Sequence, residues 1–450
     1  MTASSFTAVA EVLGDVGRAT IYEHGWQSWS PVGRYPATAT SPRPARPEWQ
    51  TMAFRPGSPP PDTGFQGEGL LAVIDGEGRV RVWVAPDPHL QVASIRATAA
   101  ADRIVVAANG PVAELEARDD DLQTVLARYA DGLAKSVGVS VPSLPAAWCS
   151  WYCYGGDVCS DDVLTNLTLM DRLGLEVGTV QIDDGHQREI GDWLVRSPRF
   201  GPLGELADRI TDAGRAAGVW TAPFLVGVNS TLAERHPDWL VGGAVAAPHQ
   251  WHQQVGVLDV THPDAAEHLR DVFRTLRGDG FTYHKIDFLY GGAMEGRRHA
   301  DCTGLDAYAE GLRLIREGAG DDATILGCGA PLLPSVGRVD AMRVGPDIAP
   351  SFEPVAGDIS QPSQRAALAA SRNRAWMHAR LWVNDPDCLI ARPAMEQRDT
   401  WASFLAEYGG LAVSSDPLGL LDEHGLELTR RILRPSGTTP LDWPIDVVAP

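Results

Sequence analysis

The chain has 450 residues, with 58 acidic against 38 basic side chains and a formal net charge of −20. That balance argues against a phosphate-reading surface for nucleic acid and against docking on anionic lipid. With 44% hydrophobic and 21% charged residues, the composition is globular rather than disordered, and the length suits about three domains of roughly 150 residues or one large barrel with appendages.

The first residues carry no early positive charge and meet Glu11 and Asp15 too soon for a signal peptide. No apolar run approaches the ~18 residues of a membrane span, so a cytoplasmic location without membrane contact is expected. Residues 1–142 read as an N-terminal β domain: Gly69–Ile74 and Arg79–Ala85 are apolar or alternating, with glycine-rich turns between them. Pro31–Pro61, rich in proline, reads as a long loop. Asp119–Ser136 places Leu122, Val125, Leu126, Tyr129 and Leu133 on one helix face. Acidic residues at its start suit the helix dipole, and it reads as a connector helix.

Residues 143–421 alternate short apolar runs with helical patterns. Strands are expected at Ala147–Trp151, Thr179–Asp183, Val219–Pro223, Tyr283–Asp287, Thr324–Cys328, Ala341–Gly345, Leu381–Asn384 and Leu411–Ser415. Helices are expected at Asp161–Leu173, Leu203–Ala217, Ala265–Arg277, Leu305–Glu317, Ser363–His378 and Pro393–Tyr408. Eight such units imply an α/β fold, a (β/α)8 TIM barrel, with a doubly wound open sheet as the alternative. Val255–Val260, inside the long excursion from Leu225 to Ala265, reads as decoration. Residues 422–450 form a short C-terminal segment with one helix-like piece, Leu426–Leu433.

Two compositional biases bear on chemistry. Tryptophan (14) outnumbers phenylalanine (10), and flat indole faces suit sugar clefts as well as cores. Only Lys135 and Lys285 are lysines among 38 basic residues, so a retained lysine hints at a need for a compact ammonium. The six cysteines form no CxxC pair or zinc knuckle, and neither metal nor cofactor is expected. Elbow, phosphate-loop and HExxH motifs are lacking.

Barrel enzymes carry their chemistry at the C-terminal ends of the strands. There the sequence places Asp183 and Asp184, Lys285 and Asp287, Arg343 and Asp347, and Asp385 and Asp387, with Trp151 and Trp220 on strands one and three. Asp385 and Asp387 read as helix caps. Lys285 and Asp287, two apart on a strand, share a face and are expected to pair; Arg343 and Asp347 form a possible second pair. Two barrel carboxylates with cationic neighbours and tryptophan walls best match glycoside hydrolysis.

At this point the sequence resembles the α-galactosidases (melibiases) of glycoside hydrolase family 36, especially the compact bacterial type. Nine blocks carry the resemblance in one order: Trp26-Gln27-Ser28-Trp29, Trp148–Tyr152, Gln181–Asp184, Gly191–Val195, Trp220–Phe224, Lys285–Phe288, Ile325–Gly329, Met342–Asp347 and Asn384–Cys388. The resemblance implies a retaining, exo-acting enzyme that releases terminal α-linked galactose. Asp287 would be the nucleophile and Asp347 the general acid and base. Asp183 and Asp184 would accept from the sugar's 4- and 6-hydroxyls, Lys285 and Arg343 would donate to ring hydroxyls, and Trp29, Trp151 and Trp220 would wall the pocket.

The implied partner is a small oligosaccharide or other α-galactoside, the oligomeric state being open. A related α-N-acetylgalactosaminidase, a galactosyl transferase on the same scaffold and a non-catalytic galactoside-binding protein are the alternatives. Against the family's pattern, the residues before Trp26 and after the barrel are few, so a shortened N-terminal sandwich and a truncated C-terminal domain are expected. Ala244–Gln254, rich in His and Gln, looks individual to this chain.

Overall fold

The computed structural model describes residues 5–44, 53–117, 119–247, 250–358 and 361–448. Eight parallel strands lie at Ala147–Cys149, Thr179–Ile182, Ala216–Thr221, Phe281–Ile286, Thr324–Gly327, Ala341–Arg343, Val383–Asp385 and Val413–Ser414, neighbouring one another in chain order. The last pairs with the first through Ala147↔Val413 and Trp148↔Ser414. The seventh and eighth meet where the Leu411 N–H donates to the Asn384 carbonyl at 2.9 Å. The sheet thus curls into the expected barrel and the open-sheet alternative falls away.

Sequence explains the layers. Barrel strands are buried along nearly their whole length, which is why they read as short apolar runs without alternation. The outer helices bury one stripe each: Pro263–Gly278 buries Ala265, Leu269, Val272, Phe273 and Leu276. Gly304–Ala319 begins at a reciprocal Thr303–Asp306 capping box.

Boundaries shift where local chemistry overrides the pattern. The third strand starts at Ala216, because the preceding helix, Leu203–Asp212, stops early and Gly214 turns the chain at φ +75°. The Ser363–His378 expectation shortens to a helix over Gln364–Asn373 followed by a 3₁₀ turn at Ala375–Met377. The last barrel helix begins at Arg398 rather than Pro393.

The described residues of 5–117 build nine strands in two antiparallel sheets. The expected Pro31–Pro61 loop is corrected at its start, where Val32–Pro36 is a strand paired with Thr20–His24; its positions 45–52 lie outside the described residues. The connector helix spans Leu122–Val137, capped by Asp121 accepting from Thr124 N–H. After the helix Glu423–Ile432, the tail returns to the N-terminal sheet, where the Val448 N–H donates to the Arg34 carbonyl at 2.6 Å.

The excursion after the third strand is a small sheet of its own. Leu225–Gly227 and Leu240–Ala247 flank Val255–Leu258, all antiparallel. Val255–Leu258 is therefore a strand, but outside the barrel. Among the described residues, no helix is long and apolar enough to cross a membrane.

Candidate active site

A cavity of ≈ 180 Å³ opens at the C-terminal ends of the barrel strands. Drug-sized sites occupy ~300–1,000 Å³, so this space suits one sugar ring rather than an oligosaccharide. Its walls include Asp183, Asp184, Lys285, Asp287 and Asp347, with Trp29, Trp151 and Trp220 around them. Nine residues were singled out from the sequence, and eight of them line this one space; Arg343 lies behind it.

Asp183 follows the second strand and is 2% exposed. Its Oδ2 accepts from Lys285 Nζ at 2.9 Å and from Gln181 Nε2 at 2.6 Å, while Oδ1 accepts the Asp184 N–H at 2.9 Å. The expected Lys285–Asp287 pair is thereby corrected. The ammonium crosses the barrel to strand two instead of turning to its same-strand neighbour. Burial works against the Lys285 charge, but the facing Asp183 carboxylate, with Cys149 and Asp287 adding to it, holds the ammonium well above its ordinary pKa.

Asp287 directly follows the fourth strand. Trp220 Nε1 donates to its Oδ2 at 3.1 Å and the Phe288 N–H to its Oδ1 at 2.7 Å. Phe288 takes a left-handed backbone, φ +52°, which folds that N–H back onto the carboxylate. Trp220 is itself wedged edge-on against Trp193, 5.8 Å between centroids.

Arg343 is spent on carboxylates. Its Nε meets Asp385 at 3.0 Å, Nη2 meets Asp387 at 2.9 Å and Nη1 meets Asp347 at 3.1 Å. Asp385 and Asp387, expected to cap a helix, are instead the fully buried counter-ions of this guanidinium. Asp387 Oδ2 also accepts from the Ile348 N–H at 2.8 Å and from the Tyr152 hydroxyl at 2.5 Å.

Asp347 faces the cavity with about a third of its side chain open, 32%, yet lies deep among these charges. Burial, with the Asp387 carboxylate next in weight, pushes its pKa up to about 7 against the opposing pull of Arg343 and Lys285. Burial likewise raises Asp184, opposed by hydrogen bonds from Trp251 and Gln187. Two carboxyl groups on one small space thus differ in surroundings: Asp287 accepts two hydrogen bonds, and Asp347 is poised to hold a proton near neutrality.

Trp29 arrives from the N-terminal region. The Gly25–Pro31 turn that carries it is so tight that a Cβ on Gly25 would lie 2.2 Å from Ser30 Cβ. The turn is fastened to the barrel by Arg374, whose guanidinium donates to the carbonyls of Gln27, Ser28 and Ser30 and to that of Val344. Val344 begins the segment that ends in Asp347.

Sequence reasoning missed Trp251, Phe288, Cys328 and Pro362, which also line the cavity. Phe288 and Cys328 stand inside blocks already noted for their neighbours. Trp251 lies in the Ala244–Gln254 segment, where an indole among polar residues in a barrel excursion was the available signal.

Comparison with known proteins agrees with this geometry. Residues 150–295 match the melibiase family model. The α-galactosidase TtGalA from Thermus thermophilus, solved with stachyose, superposes with a TM-score of 0.79 at 27% identity, covering 95% of this chain and 93% of that one. The family 36 α-galactosidase AgaA from Geobacillus stearothermophilus shares the fold at a TM-score of 0.61 and 13% identity, over 94% of this chain and 61% of that one. In sequence, AgaA is 30% identical over 124 residues, 26% of this chain and 17% of AgaA. The alignments with AgaA and with the α-galactosidase/sucrose kinase AgaSK of Mediterraneibacter gnavus span only 17% and 16% of those proteins' lengths.

Proposed function

We infer that this chain, which the melibiase model and its solved neighbours tie to the glycoside hydrolase family 36 α-galactosidases, hydrolyses terminal α-linked galactose with retention of configuration. One observation carries the reading: Asp287 and Asp347 line the same sugar-sized cavity, and burial there pushes Asp347 up to about 7.

Asp287 attacks the anomeric carbon, and Asp347 gives its proton to the departing glycosidic oxygen. A covalent glycosyl-enzyme forms on Asp287. Asp347, now a carboxylate, takes a proton from water as that water attacks the same carbon, and Asp287 leaves. Trp220 and the Phe288 N–H aim the nucleophile by holding one oxygen each. Asp183, Asp184 and Lys285 offer acceptors and a donor to ring hydroxyls, while Trp29 and Trp151 close the sides. The small closed space favours exo action on one terminal residue. The structure of TtGalA with stachyose makes short α-galactosyl oligosaccharides the natural candidates, and the cytoplasm is the proposed location.

A panel of nitrophenyl α-glycosides, with the product anomer followed by NMR, tests sugar, linkage and stereochemistry together. The α-galactoside is cleaved and α-galactose appears first; β-galactose as first product refutes retention. Asp347→Asn lowers kcat/KM on a poorly leaving galactoside on the order of 10²–10⁴-fold, and Asp287→Asn at least as much, both with unchanged melting. Near wild-type turnover by either removes its assigned role.

A further inference from the structure

We propose that Trp251 is a positioning residue of the sugar site, holding the Asp184 carboxylate in place through its indole N–H while its ring walls the cavity. The inference rests on the galactosidase reading above and names a residue on a part of the chain outside the barrel.

Trp251 sits at the tip of the excursion sheet, between the strands Leu240–Ala247 and Val255–Leu258. Its Nε1 donates to Asp184 Oδ2 at 2.7 Å. Gln187 Nε2 donates to the other oxygen, Oδ1, at 2.6 Å. The carboxylate is therefore gripped at both oxygens, one donor coming from its own loop and one from the excursion. A carboxylate has about four lone-pair sites, so each oxygen keeps one for a sugar hydroxyl in a direction the two grips define.

The ring is placed as firmly as the N–H. Its centroid lies 5.0 Å from that of Phe288, edge-on, and 6.5 Å from that of Trp220. Phe288 and Trp220 are the two groups that hold Asp287. Trp251 thus packs its ring against both residues that hold the nucleophile, Trp220 through its indole N–H and Phe288 through its backbone N–H.

The backbone is bent to achieve this. Trp251 has φ +51° and His252 φ +57°, a left-handed region that strains a bulky residue and persists only where surroundings over-determine it. Gln253 supplies the anchor on the far side. Its amide oxygen accepts the Asn229 N–H at 3.0 Å and its Nε2 donates to Glu189 at 3.1 Å, with Gly227 too close for any Cβ.

The test compares Trp251→Phe, which keeps a ring and loses the N–H, with Trp251→Ala, which loses both. Each is measured by kcat and KM on nitrophenyl α-galactoside from about pH 4.5 to 8, across carboxylate titration, and by galactose binding calorimetry. Trp251→Phe is expected to raise KM and the galactose dissociation constant about 10-fold, the size of one hydrogen bond to a charged group, with kcat within about threefold. Its acidic limb moves to higher pH, because a donor that lowers the Asp184 pKa is gone. Gln187→Leu, cutting the other grip, gives the same signature. Trp251→Ala raises KM further.

Wild-type KM and an unshifted acidic limb in Trp251→Phe overturn the proposal, as does a fall in kcat alone. Failure of the galactosidase reading is a separate result, seen as wild-type protein without turnover of the α-galactoside. Galactose calorimetry then decides the Trp251 role by itself, and absent galactose binding by the wild type overturns both.

Discussion

Two tryptophans reach the cavity on segments outside the barrel, and they are secured in opposite ways. Trp29 rides a turn that is pinned through its backbone: one buried guanidinium, Arg374, holds four carbonyls, three of them in the turn and one on the barrel. Trp251 rides a left-handed hairpin tip and is secured through its own side chain, at Asp184. The first arrangement makes the wall part of the fold. The second ties the wall to the chemical state of the site, since the partner that holds Trp251 is itself a titrating carboxylate.

The largest effect should come from unpinning the first. Arg374→Met leaves several buried carbonyls without donors, at ~1–3 kcal/mol for each group left unsatisfied. It is expected to destabilise the protein by ~3 kcal/mol or more in denaturant melts and to abolish turnover at assay temperature. Unchanged melting would mean that the turn is held by something else. Burial lowers Arg374 itself to about 10, still protonated at neutral pH, so the clasp is a charged donor throughout the working range.

Next in size is Trp29→Ala, which removes the pinned wall without touching its clasp. KM should rise about 10-fold or more, in line with ~2 kcal/mol for a large apolar surface, with melting moved little. Trp29→Ala and Trp251→Phe should differ in pH dependence: only the second shifts the acidic limb. A shared shift would erase the distinction between the two walls.

Smallest is a displacement of the alkaline limb. If Asp347 is the acid, as proposed, it must carry a proton, and kcat/KM should fall as pH rises through about 7. Asp387→Asn removes a negative charge that raises Asp347, so the limb should move to lower pH. A move to higher pH would reverse the assignment of its cause.

The barrel was legible because each buried strand is a short apolar run and each outer helix shows a 3.6-residue stripe. Strand positions held to within a few residues, and failures fell at helix ends, as at Leu203–Asp212, where a glycine turn cuts a pattern that runs on. The roster of polar residues at the strand ends was legible too. Their pairing was not. Spacing along one strand put Lys285 beside Asp287, but a closed barrel offers each side chain partners from across the ring, and Asp183 took the ammonium. Asp385 and Asp387 looked like caps because an Asp after a strand usually is one, and no pattern in one sequence reveals a guanidinium arriving from the adjacent strand. Trp251 was hidden for a similar reason: its excursion has no barrel periodicity from which an inward direction could be read.

On the proposed galactosidase reading, the Arg343 cluster bears on which sugars could enter the cavity. Around and behind the cavity stand Asp183, Asp184, Asp287, Asp347, Asp385 and Asp387, with Lys285 and Arg343 as cations among them. Such a surplus of acid favours the positive character that builds on a sugar ring as its exocyclic bond breaks. The same field is expected to disfavour uronic acids, sulfated sugars and sugar phosphates relative to uncharged ones.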